Sequence, residues 1–355
     1  MQGRIERFNQ VVLEVALSQL PVGLYHGKMG LCIYFYELSN LVSEKKYRIV
    51  ANKILNDIIN QVTDTFEIDL SSGLSGICMA VNYLLNTGYI EGNPNRVLKN
   101  YNDRIIQSLL FNRMLDSNPN PDMIKTILGS LTYLTIRLQN TGLSDNERRI
   151  MQGVIIEIIN KIESLDIDKF TEHPLFPATA YFTPFYLQLL QRIYQLNFYN
   201  YKIAKIMDDL SPHILRIYPL NKANRLSLCS AMNAIKPIAG SITGWDKHIE
   251  LLQQNLDNRQ IISEFRNKNI AFNNGLCGFY YLLRKTGIIN AYNDLFINKI
   301  TNSDKWEQFF NNDDDTFSKP FSLYNGLPGV ILTYLHILNR SSAMMFFDTA
   351  IRQYI

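Results

Sequence analysis

The sequence is poor in the residues that usually advertise chemistry. It has four cysteines, five histidines and two tryptophans among 355 residues. Cys32, Cys78, Cys229 and Cys277 are far apart and form no Cys-x-x-Cys pair. That argues against a disulfide framework and favours reduced thiols in a cytoplasmic setting. No run of about 18 apolar residues occurs, so no transmembrane helix is expected. Met1 to Leu20 carries Arg4, Glu6, Arg7 and Glu14 among its apolar residues. It lacks the basic head and uninterrupted apolar block of a secretory signal. A large excess of one charge is also missing: the net charge is +3, with Lys and Arg dispersed, which excludes a basic nucleic-acid surface. What the chain does have is 46% hydrophobic residues, enough for a large core.

It also has a glycine signature that returns along its whole length. The signature reads His26-Gly27-Lys28-Met29-Gly30, Ser72-Gly73-Leu74-Ser75-Gly76, Asn274-Gly275-Leu276-Cys277-Gly278 and Asn325-Gly326-Leu327-Pro328-Gly329. The long gap between Gly73 and Gly275 holds three weaker copies, at Leu128-Gly129-Ser130, Thr179-Ala180-Tyr181 and Cys229-Ser230-Ala231. Anchored on Gly27, Gly73, Gly129, Ala180, Ala231, Gly275 and Gly326, the copies are about 50 residues apart. A fixed period of this kind marks repeated supersecondary units.

Each anchor precedes an apolar run, such as Ile33 to Val42, Met79 to Leu85 or Val330 to Leu338. Between these runs lie amphipathic segments at helical spacing. Examples are Ile49, Ile54, Leu55, Ile58 and Val62, then Ile105, Leu109, Leu110 and Met114, then Ile150, Val154, Ile155, Ile158 and Ile162. Strand-like alternation is scarce. The unit is therefore a helical hairpin, and seven hairpins give about fourteen helices in one domain spanning residues 1–355. The strong first and last copies favour closure, with repeat 1 packed on repeat 7, over an open solenoid with polar caps. The expected fold is an all-α (α/α) toroid. Its inner helices would begin at the glycines and its outer helices would be amphipathic. Glycine would permit the entering turn and close backbone approach. Unsatisfied N–H groups at the inner helix starts would suit an anionic or electron-rich ligand.

Several residues near these turns are candidates for function. His26 is a possible base at a helix start, or a structural histidine bonded to a loop carbonyl. Asn273, Asn274 and Asn325 are N-caps or amides that bond a peptide backbone. Tyr25, Tyr181 and Tyr324 come near equivalent positions, with Lys28 and Thr179 beside them, and form a candidate peptide-contacting set. Cys229 is a buried small hydrophobe or a working thiol. His173, His213, His248 and His336 share no register with Cys229, and Asp313-Asp314-Asp315 reads as a solvated loop. No carboxylate pair sits at the turns, which argues against a glycosidase barrel.

Four Gly-x-x-Gly signatures in register, above all His26 to Gly30 and Gly326-Leu327-Pro328-Gly329, resemble those of the lanthionine synthetase C-like family. The resemblance covers nearly the whole chain and implies a double-layered α/α toroid. It also implies an activity: addition of peptide cysteine thiols to dehydrated Ser or Thr residues, on a zinc ion held by two cysteines and a histidine. The family's first zinc cysteine lies in a Trp-Cys-x-Gly-x-Pro-Gly motif, read here as Leu228-Cys229-Ser230-Ala231-Met232-Asn233-Ala234. Only the cysteine remains, so Cys229 is a remnant of that ligand. The family's Cys-His-Gly is replaced by Asn273-Asn274-Gly275, and its acid/base histidine by Thr179. Amides are poor zinc ligands, so no metal and no cofactor is expected. An inserted peptide-contacting domain is expected to be absent as well. The resemblance implies a zinc-free partner or pseudo-cyclase that binds a precursor peptide, and possible partners are a dehydratase or another modifying enzyme. A metal-independent cyclase with His26 as base is the alternative, and a carbohydrate-active or terpenoid-type barrel the remote one.

Overall fold

The computed structural model describes residues 1–17, 19–62, 67–111, 121–163, 183–273, 275–285, 289–311, 319–339 and 346–347. Every regular element among them is helical. In chain order these are α1 (Gln2–Val11, running into a π-helical turn Val12–Ala16), α2 (Lys28–Leu41), α3 (Lys45–Gln61), α4 (Leu74–Asn86), α5 (Pro94–Val97), α6 (Lys99–Phe111), α7 (Pro121–Gln139) and α8 (Asp145–Glu163). There follow α9 (Thr183–Gln195), α10 (Asn200–Ile214), α11 (Lys222–Ala239), α12 (Trp245–Gln253), α13 (Asn258–Glu264), α14 (Leu276–Lys285), α15 (Asn293–Thr301), α16 (Lys305–Phe310) and α17 (Leu327–Leu338). The chain divides into two compact units, Met1–Glu91 with Asn258–Gln353, and Gly92–Asp257.

In the first unit two kinds of helix alternate. In α2 every residue from Lys28 to Leu38 is buried. An apolar sequence with no polar face can be stable only when covered on all sides. It is covered by α3 behind it and by α17 and α4 beside it. The polar tips of its aromatic residues are satisfied within the packing. Tyr34 donates to Asn9 Oδ1 at 2.7 Å, Asn9 donates to the Tyr47 hydroxyl at 3.2 Å, and Tyr36 donates to Asn52 Oδ1 at 2.5 Å. By contrast α3 buries only Tyr47, Ala51, Ile54, Leu55 and Ile58, one face at helical spacing, and Ile49 is exposed. In the second unit α7 and α9 carry the all-round buried stretches, whereas α11 exposes Asn233, Ala234, Lys236 and Pro237. Thr183 to Leu190 of α9 is buried without interruption, and α9 packs on both α7 and α11. Helices α6, α8, α10 and α12 each bury one face, as Val154, Ile155, Ile158 and Ile162 do in α8.

The expectation that each glycine anchor opens a helix holds at Gly27, Gly73, Gly275 and Gly326. It fails at two weak copies. Gly129 lies eight residues inside α7, and Cys229 to Ala231 lies inside α11. Those helices start earlier through ordinary caps. Pro121 is the first residue of α7, where its missing N–H costs nothing. Asn221 Oδ1 accepts from Ala223 N at 2.8 Å and Asn224 N at 3.3 Å at the head of α11. The copy at Thr179 to Tyr181 lies outside the described residues.

Candidate functional site

The strong signatures are steric and hydrogen-bonding devices. Ahead of α2, α4 and α14 the chain loops back so that its carbonyls meet the helix start. Lys28 N donates to Pro21 O at 2.7 Å and Met29 N to Val22 O at 3.0 Å. Leu74 N donates to Glu67 O at 2.8 Å, Leu276 N to Asn269 O at 3.0 Å, and Cys277 N to Ile270 O at 3.3 Å. A Cβ on Gly27 would lie 2.3 Å from Pro21 O, on Gly73 2.4 Å from Glu67 O, on Gly275 2.4 Å from Ala271 O, and on Gly326 2.2 Å from Pro320 O. The second glycine meets the same returning loop: Gly30 faces Leu24 O, Gly76 faces Leu70 O and Gly329 faces Leu323 O, all at 2.1 to 2.4 Å from the hypothetical Cβ. The residues before the inner helices are extended, as at Gly27 with φ −139°. Close approach is therefore the reason for glycine here. This corrects the expectation of open N–H groups at these helix starts. At α2, α4 and α14 the first N–H is bonded by the chain's own carbonyls, so it is not open to an anion at these three starts.

The turns of successive repeats are joined by one recurrent bond. Phe272 N and Asn273 N of repeat 6 both donate to Tyr324 O of repeat 7 at 2.9 Å. Leu323 N of repeat 7 donates to Tyr25 O of repeat 1 at 3.0 Å, and Tyr25 N donates to Ser71 O of repeat 2 at 2.8 Å. The bond that joins the last repeat to the first is the one used between neighbours. Together with the packing of α17 on α2, it closes repeat 7 on repeat 1.

The candidate residues of repeats 1, 6 and 7 gather on this row of turns. Tyr25 and Tyr324 stack on each other, with ring centroids 3.7 Å apart. Lys305 Nζ donates to Asn325 O at 2.8 Å, and Asn273 is half-buried beside Tyr324. His26 Nδ1 lies 3.0 Å from Ser322 Oγ. The Ser322 hydroxyl has one proton and donates it to Tyr25 O at 2.7 Å, an atom that can only accept. The Ser322 oxygen also accepts from Asn325 N at 3.0 Å and Tyr324 N at 3.3 Å, so one hydroxyl ties His26 to the turn of repeat 7. No sequence signal singled out Ser322, since its role depends on a partner 296 residues away. Lys28 is turned elsewhere. It is 5% exposed, and its ammonium pairs with Asp57 of α3 at 2.5 Å, so it ties the inner helix to the outer one. Thr179, Tyr181, Asn274, His173 and Asp313 to Asp315 lie outside the described residues.

In the second unit Cys229 is buried in the middle of α11. Asn233 Nδ2 donates to its sulfur at 3.4 Å and to its carbonyl at 3.0 Å. Burial raises its thiol above the ordinary cysteine range, against smaller lowering by bonds from Gln253 and Asn233. A zinc ligand must be a thiolate with convergent partners. Here the thiol is held neutral, and position 273 carries an amide. Among the described residues no group of three or more His, Cys, Asp or Glu side chains is placed to hold a metal ion. His248 lies in α12 with its Nε2 bonded to Ile217 O at 3.0 Å, and His336 is buried in α17. The donors present do not fit the family's zinc.

Residues 18–179 match the family described as lanthionine synthetase C-like protein. Among solved structures, the chain is similar to a nisin cyclase at 12% identity and a TM-score of 0.59, over 99% of this chain and 98% of that one. No curated protein sequence matches it. Among the described residues no helix is long and apolar enough to cross a membrane. The family match covers less than half of the chain, and the structural similarity, over nearly all of it, shows that the chain has the helical fold of that cyclase.

Proposed function

We propose that the chain serves lanthipeptide-type modification as a zinc-free peptide-binding partner or pseudo-cyclase. It would hold a precursor peptide against the turns that carry Tyr25, His26, Asn273, Tyr324 and Asn325, beside a dehydratase or another modifying enzyme. The reading is supported by the family match, by a fold similar to that of a nisin cyclase, and above all by the donor set. One buried, protonated thiol at Cys229 and an amide at Asn273 replace what a zinc-activated thiol addition requires.

The test is incubation of the purified protein with a dehydrated, cysteine-bearing peptide, with and without added zinc. Ring closure conserves mass, so rings are counted as thiols lost to alkylation. The expected result is peptide binding with every thiol still alkylatable, and no zinc in the protein by elemental analysis. Zinc-dependent ring formation would overturn the reading. The placing of a half-buried His26 at this turn, 3.0 Å from Ser322 Oγ, favours a second reading, in which His26 deprotonates the attacking thiol without metal. Zinc-independent rings that are lost in His26→Ala would establish that one instead.

A further inference from the structure

Two consecutive residues near the end of the chain lie on the face shared by the inner helices of the first unit. Phe346 and Phe347 are 0% and 1% exposed. The Phe346 ring meets Tyr83 of α4 edge-on at 5.2 Å. Its backbone N–H donates to Oε1 of Glu37 in α2 at 3.3 Å, and the Tyr83 hydroxyl donates to the same oxygen. Phe347 stacks on Phe272 with centroids 4.3 Å apart and planes within 16°. It also meets Tyr281 of α14 at 5.3 Å and Tyr324 at 6.5 Å. One dipeptide thus touches repeats 1, 2, 6 and 7 together.

Three features set this contact apart from ordinary core packing. The bonds that join repeats 6, 7, 1 and 2 run from turn to turn and owe nothing to Phe346 or Phe347. The receiving surface has the make-up of a peptide pocket, with aromatic walls for side chains and a buried carboxylate, Glu37, that takes a backbone N–H. Phe272 and Tyr324, which receive Phe347, adjoin Asn273 and Asn325, the residues proposed above to contact a peptide.

We infer that the Phe272–Tyr281–Tyr324–Tyr83–Glu37 surface is a peptide-binding pocket selective for two adjacent aromatic residues, and that Phe346-Phe347 occupies it in cis as a self-ligand. An aromatic pair on another peptide would bind by displacing it. This rests on the reading of the chain as a peptide binder, but its test needs neither a precursor nor a partner enzyme. Failure here would leave the precursor experiment standing, and the reverse.

The probe is a fluorescein-labelled synthetic peptide copying residues 340–353, added to the full-length chain. A tethered ligand competes at an effective concentration of about millimolar. Full-length Phe346→Ala/Phe347→Ala should therefore bind the probe at least tenfold more tightly than the native chain, and a probe with both phenylalanines changed to alanine should not bind. Equal affinity of both chains, or no binding by a variant with a native unfolding midpoint, overturns the proposal. A second measurement uses the native chain and so does not depend on the variant folding. Excess unlabelled peptide should accelerate amide exchange at 346–347 at least tenfold. Unchanged exchange at saturating peptide refutes displacement.

Discussion

Replacing Gly27 by alanine tests the central packing device. The new methyl would lie 2.3 Å from Pro21 O, 2.6 Å from Gly23 N and 2.7 Å from Gly23 O. All three are backbone atoms, so no side chain can rotate away. Restoring ordinary contact at about 3.4 Å requires the loop to retreat by about 1 Å, which stretches Lys28 N→Pro21 O and Met29 N→Val22 O from 2.7 and 3.0 Å past hydrogen-bonding range. Lys28 and Met29 are buried, so water cannot replace the lost carbonyls. Two orphaned N–H groups at about 1–3 kcal/mol each give a loss of about 2–6 kcal/mol. Gly3→Ala in α1 is the control in the same unit. Nothing lies within 4 Å of its Cβ, and a gain of up to about 0.5 kcal/mol is expected from reduced freedom of the unfolded chain. The assay is urea unfolding followed by far-UV circular dichroism. At a slope of about 3 kcal/mol/M the Gly27→Ala midpoint should fall by about 0.7–2 M. A loss below about 1 kcal/mol, or no difference between the two variants, would refute the close-approach account.

Three further outcomes follow from buried ionisable groups. Removing the partner of Lys28 with Asp57→Ala should destabilise by about 1–3 kcal/mol, because the ammonium is buried and Asp57 half-exposed, whereas Lys28→Met should be near neutral; thermal melts distinguish them. His336 is held down to about 4 by burial and, secondarily, by Arg284. The unfolded chain therefore binds the extra proton first as pH falls. Stability conferred by the neutral ring is full above about pH 6.5, is lost between about 6.5 and 4, and amounts to about 3 kcal/mol. Urea midpoints against pH should lose that slope in His336→Leu. Burial pushes the Cys277 thiol up to about 12 and also raises Cys32 and Cys229. With all four cysteines buried, a disulfide reagent at pH 8 should titrate none within minutes and all four in guanidinium. A fast-reacting Cys229 would contradict the inert-thiol account.

How far the sequence could be read depended on the range of each interaction. The glycine signatures at Gly27, Gly73, Gly275 and Gly326 were legible because the carbonyls that forbid a Cβ belong to the same short loop. Each signature therefore carries its own explanation within about ten residues. The same logic shows why the weak copies misled. Gly129 and Cys229 lie inside helices, and the starts of those helices carry commoner signals, Pro121 and the Asn221 cap. The replacement of a Cys-His pair by Asn273-Asn274 in the family the chain resembles was legible, because residue identity is visible position by position.

By itself, then, the chain determined that it is helical, that it repeats, that its first and last repeats carry matching signatures, and that positions 273 and 274 are asparagine, since each is written in local pattern or residue identity. Only the tertiary structure decided what those residues face. It directed Lys28 to Asp57, set His26 against Ser322, and laid Phe346 and Phe347 among repeats 1, 2, 6 and 7. Each of these joins groups from 29 to more than 300 positions apart. Spacing along a chain holds no information about such partners, because they meet only after the core has chosen which faces to bury.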